Sequence, residues 1–482
     1  MAVSIIEQTP TNTTFPAGQD SVFVVSNQTA VATEVRVKFG VEVHISKGDI
    51  PNVGLTDDLI GIFKTTPNNA GVGIFNFKNI LENYVSADHL AFDNALFMGF
   101  PANSFGAPLP LHCIDKWSRN INTFSNVKFQ FFVEYLGADA TLPNIVSRAN
   151  GTSVNSGLFK VFNGYLKYTN PLTQIFNGLG TNFFAENFTI GDVFNSRFLT
   201  NAPRTEQRCF VNDYMTQSIF IPAPGKQQIC RRIQYFITKN DGTTATINLD
   251  MSGSNGGYPY GVGLNESQQY LVFFGIGPAN LQQASTTFAT MVTDGEIEGG
   301  KIEYRIMADQ VTPGTYVPIT KTYTLFIDCP NAKRFEPIRL CWLNQYGSWD
   351  YYTFNMKSTR TISSKATTYH QLQGTWNESL FNIEGNSGGV KTFNKNSVEK
   401  IRINTDYVSE EFVTMFEEFM VSPETYLLKE KTSSTAPATI AQQVMPIRLT
   451  SSSFKKKTTV NDRLIQYTFD IELSRKLNTQ TI

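Results

Sequence analysis

Val35-Arg36-Val37-Lys38-Phe39-Gly40-Val41-Glu42-Val43-His44-Ile45 carries an apolar side chain at every second position, from Val35 through Val37, Phe39, Val41 and Val43 to Ile45. Side chains of an extended chain alternate between two faces. The stretch therefore predicts a long strand with Arg36, Lys38, Gly40, Glu42 and His44 on a wet face. The same period returns at Val127, Phe129, Phe131, Val133 and Tyr135, opposite Lys128, Gln130 and Glu134. It returns again at Ile302, Tyr304 and Ile306, and at Tyr323, Leu325 and Ile327. The clearest case is Ile465, Tyr467, Phe469, Ile471 and Leu473, with Gln466, Thr468, Asp470 and Glu472 facing water. Ile233, Tyr235 and Ile237 run into Asn240-Asp241-Gly242 and leave through Ala245, Ile247 and Leu249. An Asp-Gly pair between alternating runs predicts a hairpin.

Helical patterns are few. Asn79 to Val85 can form a short turn-and-a-half with Ile80, Leu81, Tyr84 and Val85 on one side. Glu410 to Val421 has apolar residues at Phe412, Met415, Phe416, Phe419 and Met420, the spacing of one buried helix face. Ser409 is placed to cap it, Glu410 and Glu411 suit its positive end, and Ser422-Pro423 stops it. The expected fold class is mainly β: several β-sandwich-like domains in series, the C-terminal one with a single packed α-helix.

Punctuation suggests where these units divide. Asn170-Pro171 and Gly178-Leu179-Gly180 separate a first β region from a second, and Gln373-Gly374 with the Gly385–Gly389 turn closes the second. The expected domains are 1–170, an N-terminal β domain with an extended arm, 171–379, a central β-sandwich region, and 380–482, a C-terminal β domain with one helix. The Thr-, Asn- and Pro-containing lead Thr9–Asp20 reads as an arm that orders against a neighbouring subunit. Lys431–Ala438 reads as an exposed loop.

Composition bounds the function. The chain has 482 residues, ample for cores in several domains. Only 17% of them are charged and 13% are aromatic, with 38 Phe, 19 Tyr and 4 Trp. This argues against disorder and against coiled coils. With 40 Lys+Arg against 41 Asp+Glu, the electrostatic footprint of a nucleic-acid binder is lacking, and no direct nucleic-acid recognition is expected. Met1–Glu7 has neither a basic n-region nor an apolar h-region, so no signal peptide is expected and synthesis in a cytoplasm is the default. The most apolar short run, Tyr270–Phe274, ends at Gly275, Gly277 and Pro278 and is too short to cross a bilayer. No membrane insertion is expected. Cys113, Cys209, Cys230, Cys329 and Cys341 form no CxxC pair and read as thiols in a reducing compartment.

Reaction chemistry is thin. His44, His89, His112 and His370 are isolated, with no HExxH. His112 and Cys113 are neighbours, but on a strand they point to opposite faces, which works against shared catalysis. Gly275-Ile276-Gly277 lacks the third glycine of a dinucleotide fingerprint, and no P-loop occurs. Asp294, Glu296 and Glu298 alternate and could line a strand face that binds Ca²⁺, although a solvated hairpin beside Gly299-Gly300 is the simpler reading. Lys455-Lys456-Lys457 reads as a solvated turn. The loop Gly256–Gly261 presents Tyr258 and Tyr260 for sugar stacking or for a protein interface. The expectation is a non-enzymatic protein with no catalytic residue, cofactor or metal ligand.

The densest aromatic cluster is Ile338-Arg339-Leu340-Cys341-Trp342-Leu343-Asn344-Gln345-Tyr346-Gly347-Ser348-Trp349-Asp350-Tyr351-Tyr352-Thr353-Phe354, which reads as strand, tight Asn-x-x-Gly turn, strand. It resembles the WLN-x-x-G-x-[WF]-D/E signature of virion structural proteins from tailed phages infecting Bacteroidota. Val35–Ile45 followed by Gly73-Ile74-Phe75-Asn76-Phe77 is similar to the N-terminal module of those proteins, and Arg197-Phe198-Leu199-Thr200-Asn201-Ala202-Pro203-Arg204 to their central stretch. Val408–Glu411, Ser422–Leu428 and Asn461–Thr468 resemble their C-terminal module. The resemblance implies a tail, baseplate or neck subunit of the virion, assembled in the host cytoplasm. Its partners would be copies of itself in a symmetric ring and other virion proteins. The alternative is a receptor- or glycan-binding module of the tail, with a host surface glycan as partner. The expected interface residues are Thr9, Phe15, Tyr258, Tyr260, Trp342 and Trp349. Large obligate interfaces, whose cores are poor in charge, are the simplest account of the low charged fraction.

Overall fold

The computed structural model describes residues 3–10, 13–47, 59–91, 110–120, 122–136, 145–146, 152–166, 197–220, 229–250, 271–309, 316–329, 335–429, 444–453, 455 and 464–475. The chain is mainly β, with several sheets and few helices among these residues. It divides into two compact units. The described residues up to Cys329 join Leu343–Asp350 in the first, and the remainder form the second. The 170/171 boundary lies outside the described residues and within the first unit. The expected boundary at 379/380 falls between Ser379 and Leu380, inside a small ribbon of Thr375–Asn377 on Leu380–Asn382. Gly, Asn and Ser mark a hairpin tip as readily as a linker.

In the first unit, Val35–Lys47 pairs antiparallel with both Leu59–Thr65 and Phe124–Leu136. Phe124–Leu136 pairs with Val154–Phe162, and that strand carries Thr14–Pro16 in parallel on its far edge. A three-stranded sheet of Ile5–Gln8, Val22–Ser26 and Val72–Asn76 contributes to the same core. Phe23 is fully buried, with the rings of Phe129, Phe159, Phe77 and Phe131 centred 4.6, 5.3, 5.5 and 5.6 Å from its own. The abundance of phenylalanine is thus in large part core.

The alternation is correct in phase from Val37 onward; Val35, before a register shift, is exposed, and of the expected wet face Arg36 and Lys38 are exposed. Val37, Phe39, Val41, Val43 and Ile45 are buried as expected, yet so are Glu42, His44, Gln130 and Glu134 on the other face. The Lys64 ammonium meets the Glu134 carboxylate, whereas His44, with Nε2 3.8 Å from Glu42, has no hydrogen-bond partner at either ring nitrogen among the described residues. Gly40 leaves room for the Phe132 ring, which a Cβ would meet at 2.3 Å. Alternation reports one face's burial and is silent on the cover of the other.

Farther along the first unit, Ile229–Thr238 pairs with Thr244–Asp250 in the predicted hairpin, with Ile233 opposite Leu249, Tyr235 opposite Ile247 and Ile237 opposite Ala245. Gly242 takes φ +83° at its turn. Leu271–Gly275 pairs with Thr216–Phe220 and also with Trp117–Arg119. That second pairing ties sequence from both sides of 170/171 into one unit.

The second unit is built on a seven-stranded sheet ordered Trp349–Phe354, Ile338–Leu343, Thr425–Leu428, Val444–Leu449, Thr468–Leu473, Gly389–Asn404, Thr359–Gln371. Its α-helix is Val413–Val421, entered through a 3₁₀ turn at Glu410–Phe412 that Ser409 does not cap with its side chain. Met415, Phe416 and Phe419 are buried, and Phe416 and Phe419 lie 5.7 and 5.0 Å from Phe469. The alternating run Ile465–Leu473 is two strands. Leu464–Ile465 pairs with Val408–Ser409, whereas Thr468–Leu473 joins the main sheet.

Candidate interaction surface

The expected interface residues do not meet in one place. Thr9 is exposed. Phe15 is buried in the first unit's core with its ring 6.0 Å from Phe159, so the stretch around it is a paired strand where a free arm was expected. Trp342 is buried against Phe419, 4.8 Å between rings. Trp349 is buried too, donating its indole N–H to the Asp88 carbonyl at 3.1 Å and lying 5.0 Å from the His112 ring. Phe15 and both tryptophans are therefore core residues of this chain, not surface. Aromatic strand residues serve cores and interfaces alike, and composition does not separate the two uses. Tyr258 and Tyr260, with the Gly256–Gly261 and Lys431–Ala438 loops, lie outside the described residues.

The motif turn is built as its residues suggest. The Asn344 side-chain oxygen accepts the N–H of Tyr346 at 3.0 Å and of Ser348 at 3.1 Å, and Gly347 takes φ +74°. At its end Asp350 is buried, and burial pushes its carboxyl up to about 6 against hydrogen bonds from Thr200, Asn344 and the Asn201 backbone.

The residues singled out for chemistry are placed differently from expectation. His112 and Cys113 sit in a buried 3₁₀ turn, Leu111–Cys113, not on a strand. Burial, with His89 nearby, brings His112 down to about 3, and burial pushes the Cys113 thiol up. A neutral imidazole beside a protonated thiol is not an activated pair. Asp294 ends the helix Thr286–Thr293, and Gly295 at φ +71° turns the chain, so Asp294–Glu298 is no strand face. Glu296 is instead paired with Lys239 at 2.6 Å. No group of three His, Cys, Asp or Glu able to hold a metal occurs among the described residues. No helix among them is long and apolar enough to cross a membrane.

The surface that stands out is a long β-arm in the second unit. Thr359–Gln371 and Gly389–Asn404 pair antiparallel from Thr359 opposite Arg402 to Gln371 opposite Gly389. At the base, Ile401 and Ile403 are buried and the strand pairs with Thr468–Leu473. There Arg360 bridges Glu336 and Glu399, each at 2.6 Å. Past Ser397, whose hydroxyl meets Ser364 at 3.1 Å, the arm leaves the core. The Thr359–Gln371 strand has 13 residues, a span of roughly 40 Å at about 3.3 Å per residue.

Beyond that point both faces of the ribbon are exposed, and apolar side chains are exposed with them. Leu372 is 72% exposed, Trp376 66% and Leu380 69%. Phe381 and Ile383 complete the apolar tip, and Tyr369 and Phe393 stand edge-on at 6.4 Å on the stalk. Phe393 is the extra residue of a bulge, since Thr367 pairs with Asn394 and Thr368 with Thr392. At the tip turn Glu378 adopts φ +50°, a left-handed conformation that costs about 1–2 kcal/mol for a residue other than glycine.

Charge on the arm is segregated. Between Leu372 and Gly388 the only charged residues are Glu378 and Glu384. On the exposed stalk they are Lys365, Lys391 and Lys395. Lys391 donates to the Asn386 carbonyl. Thr359–Gln371 is also the terminal strand of its sheet, and no strand among the described residues pairs with its outer edge. Its alternation of Thr, Ser and Lys gave no sign that the ribbon leaves the core. The available signal was Leu372, Trp376, Leu380, Phe381 and Ile383 packed into a turn-rich stretch.

No family model matches the chain. No curated protein matches it either.

Proposed function

We propose that this chain is a non-enzymatic structural subunit that acts by assembling with other protein chains. Within the class its sequence resembles, that is a tail, baseplate or neck component of a tailed-phage virion. The observation that carries the reading is the arm. A two-stranded ribbon isolated in water is marginal at best, and this one also exposes large apolar side chains on both faces. Monomeric proteins rarely present contiguous apolar patches above a few hundred Å². An arm of this kind is stable where another chain covers it. The test is electron microscopy and mass measurement of the purified full chain, with proteomics of phage particles carrying the gene. Closed oligomers, and presence in the particle, are expected. A monomer at every concentration that is also absent from particles refutes the reading.

A further inference from the structure

We infer that the arm's partner is the arm of a second copy of this chain, lying alongside it in the opposite direction so that the tip of each meets the stalk of the other. The inference rests on the reading of the chain as an assembling subunit and specifies which surface assembles and with what. Three features of the arm support it.

The first is charge. The tip carries Glu378 and Glu384 with no cation, and the exposed stalk carries Lys365, Lys391 and Lys395 with no carboxylate. Among the described residues, Lys365 and Lys395 on the stalk and both tip glutamates are outside every ion pair. Two arms side by side in the same direction would set glutamates against glutamates and lysines against lysines. Reversing one of them sets acidic tip against basic stalk twice over. The arm is therefore complementary to itself in one orientation, which is what a two-fold contact between identical chains requires.

The second is the edge. The outer side of Thr359–Gln371 presents a row of backbone donors and acceptors, with neither Pro nor Gly to interrupt it. Such an edge accepts another strand. An arm running antiparallel alongside can satisfy these backbone groups. The third is area. At roughly 200 Å² for a fully exposed large side chain, the exposed apolar side chains of the arm amount to about 1,000 Å². A stable interface takes about 800 Å² from each partner. That total spans both faces of the ribbon, so the contact reaches this size where the second arm covers most of the tip as well as the edge.

Charge reversal in the full-length protein tests the pairing. One variant carries Glu378→Lys and Glu384→Lys, a second carries Lys365→Glu and Lys395→Glu, and a third carries all four. Self-association is read by sedimentation velocity, with thermal unfolding as a control for the fold. Each double variant alone is expected to associate about tenfold or more weakly than wild type, because like charges then face each other. A mixture of the two double variants should recover as heterodimers, and the fourfold variant should recover by itself. Carbodiimide coupling of wild-type chains, one isotopically labelled, should yield peptides joining a stalk lysine of one copy to a tip glutamate of the other. If wild type self-associates and no reversal alters it, another surface assembles the chain. The inference then falls and the proposed function stands. If wild type does not self-associate at any concentration and is absent from particles, both fall.

Discussion

Replacing Asp350 by Asn should change how stability depends on pH, by an amount the structure sets. Asp350 is buried at the end of the motif turn, and burial raises its carboxyl from 3.8 to about 6 despite hydrogen bonds from Thr200, Asn344 and Asn201. In the unfolded chain the group returns to the ordinary carboxylate value, near 3.9. Between those values the folded protein holds a proton that the unfolded chain has lost, so stability falls as pH rises. Below about pH 4 both states are protonated and the group contributes nothing; above about pH 6 the full cost of the buried charge is present. At about 1.4 kcal/mol per pKa unit, the cost is about 3 kcal/mol.

Asn cannot ionise and keeps an oxygen to accept the Thr200 hydroxyl. The mutant-minus-wild-type difference in unfolding free energy should therefore become more favourable to the mutant by about 3 kcal/mol between about pH 4 and about pH 7. Urea unfolding at fixed ionic strength measures it, with the buried Trp349 next in sequence as fluorescent reporter. The difference is needed because other groups titrate as well. Asp115, raised to about 6 by burial, has the same sign. His112 has the opposite sign: its folded value of about 3 lies below the ordinary 6.5, so its contribution is complete above that value and is lost as pH falls toward 3. Subtracting wild type from mutant cancels both. A difference that stays constant across the range would show that the buried carboxyl is not the titrating group, and would refute the argument.

Three further substitutions test the packing. Phe23→Ala removes the ring at the centre of the first unit's aromatic core and should lower that unit's stability by about 3–5 kcal/mol in urea unfolding; a loss under about 1 kcal/mol would mean that the ring is not packed as described. Gly347→Ala meets two obstacles, φ +74° and a Cβ placed 1.9 Å from the Asn163 carbonyl oxygen. Gly242→Ala meets only the first, with nothing near its Cβ at φ +83°. The Gly242 variant should lose about 1–2 kcal/mol, the cost of the left-handed conformation, and the Gly347 variant more than that. Equal losses in thermal unfolding would contradict the close approach at Asn163.

What the amino-acid sequence determines here is local. A period of two chooses the inward face of Val35–Ile45 and of Ile229–Thr238, Asp241-Gly242 reverses the chain, and the spacing Phe412, Met415, Phe416, Phe419 places a helix against a core. Asn344 and Gly347 build their turn from their own side-chain oxygen and backbone freedom. These outcomes depend on residues within a few positions of each other, so pattern reading reaches them. The tertiary structure decides what depends on distant residues. Trp117–Arg119 pairs with Leu271–Gly275, and the outer faces of Glu42, His44 and Gln130 are covered. Helix Thr286–Thr293, half of it threonine, forms just before Asp294–Glu298, with Ser285 accepting from the Phe288 N–H at 3.3 Å.

The arm is the sharpest case. Thr359–Gln371 and the outer part of Gly389–Asn404 would read as strands at any depth, because the alternation of a strand is the same beside a core as beyond it. Only the length of pairing past the last buried residue, Ser397, shows that the ribbon projects. The low charged fraction first suggested surfaces covered by neighbours, and buried phenylalanine explains much of the aromatic content without them. The apolar tip is the part that packing among the described residues does not explain.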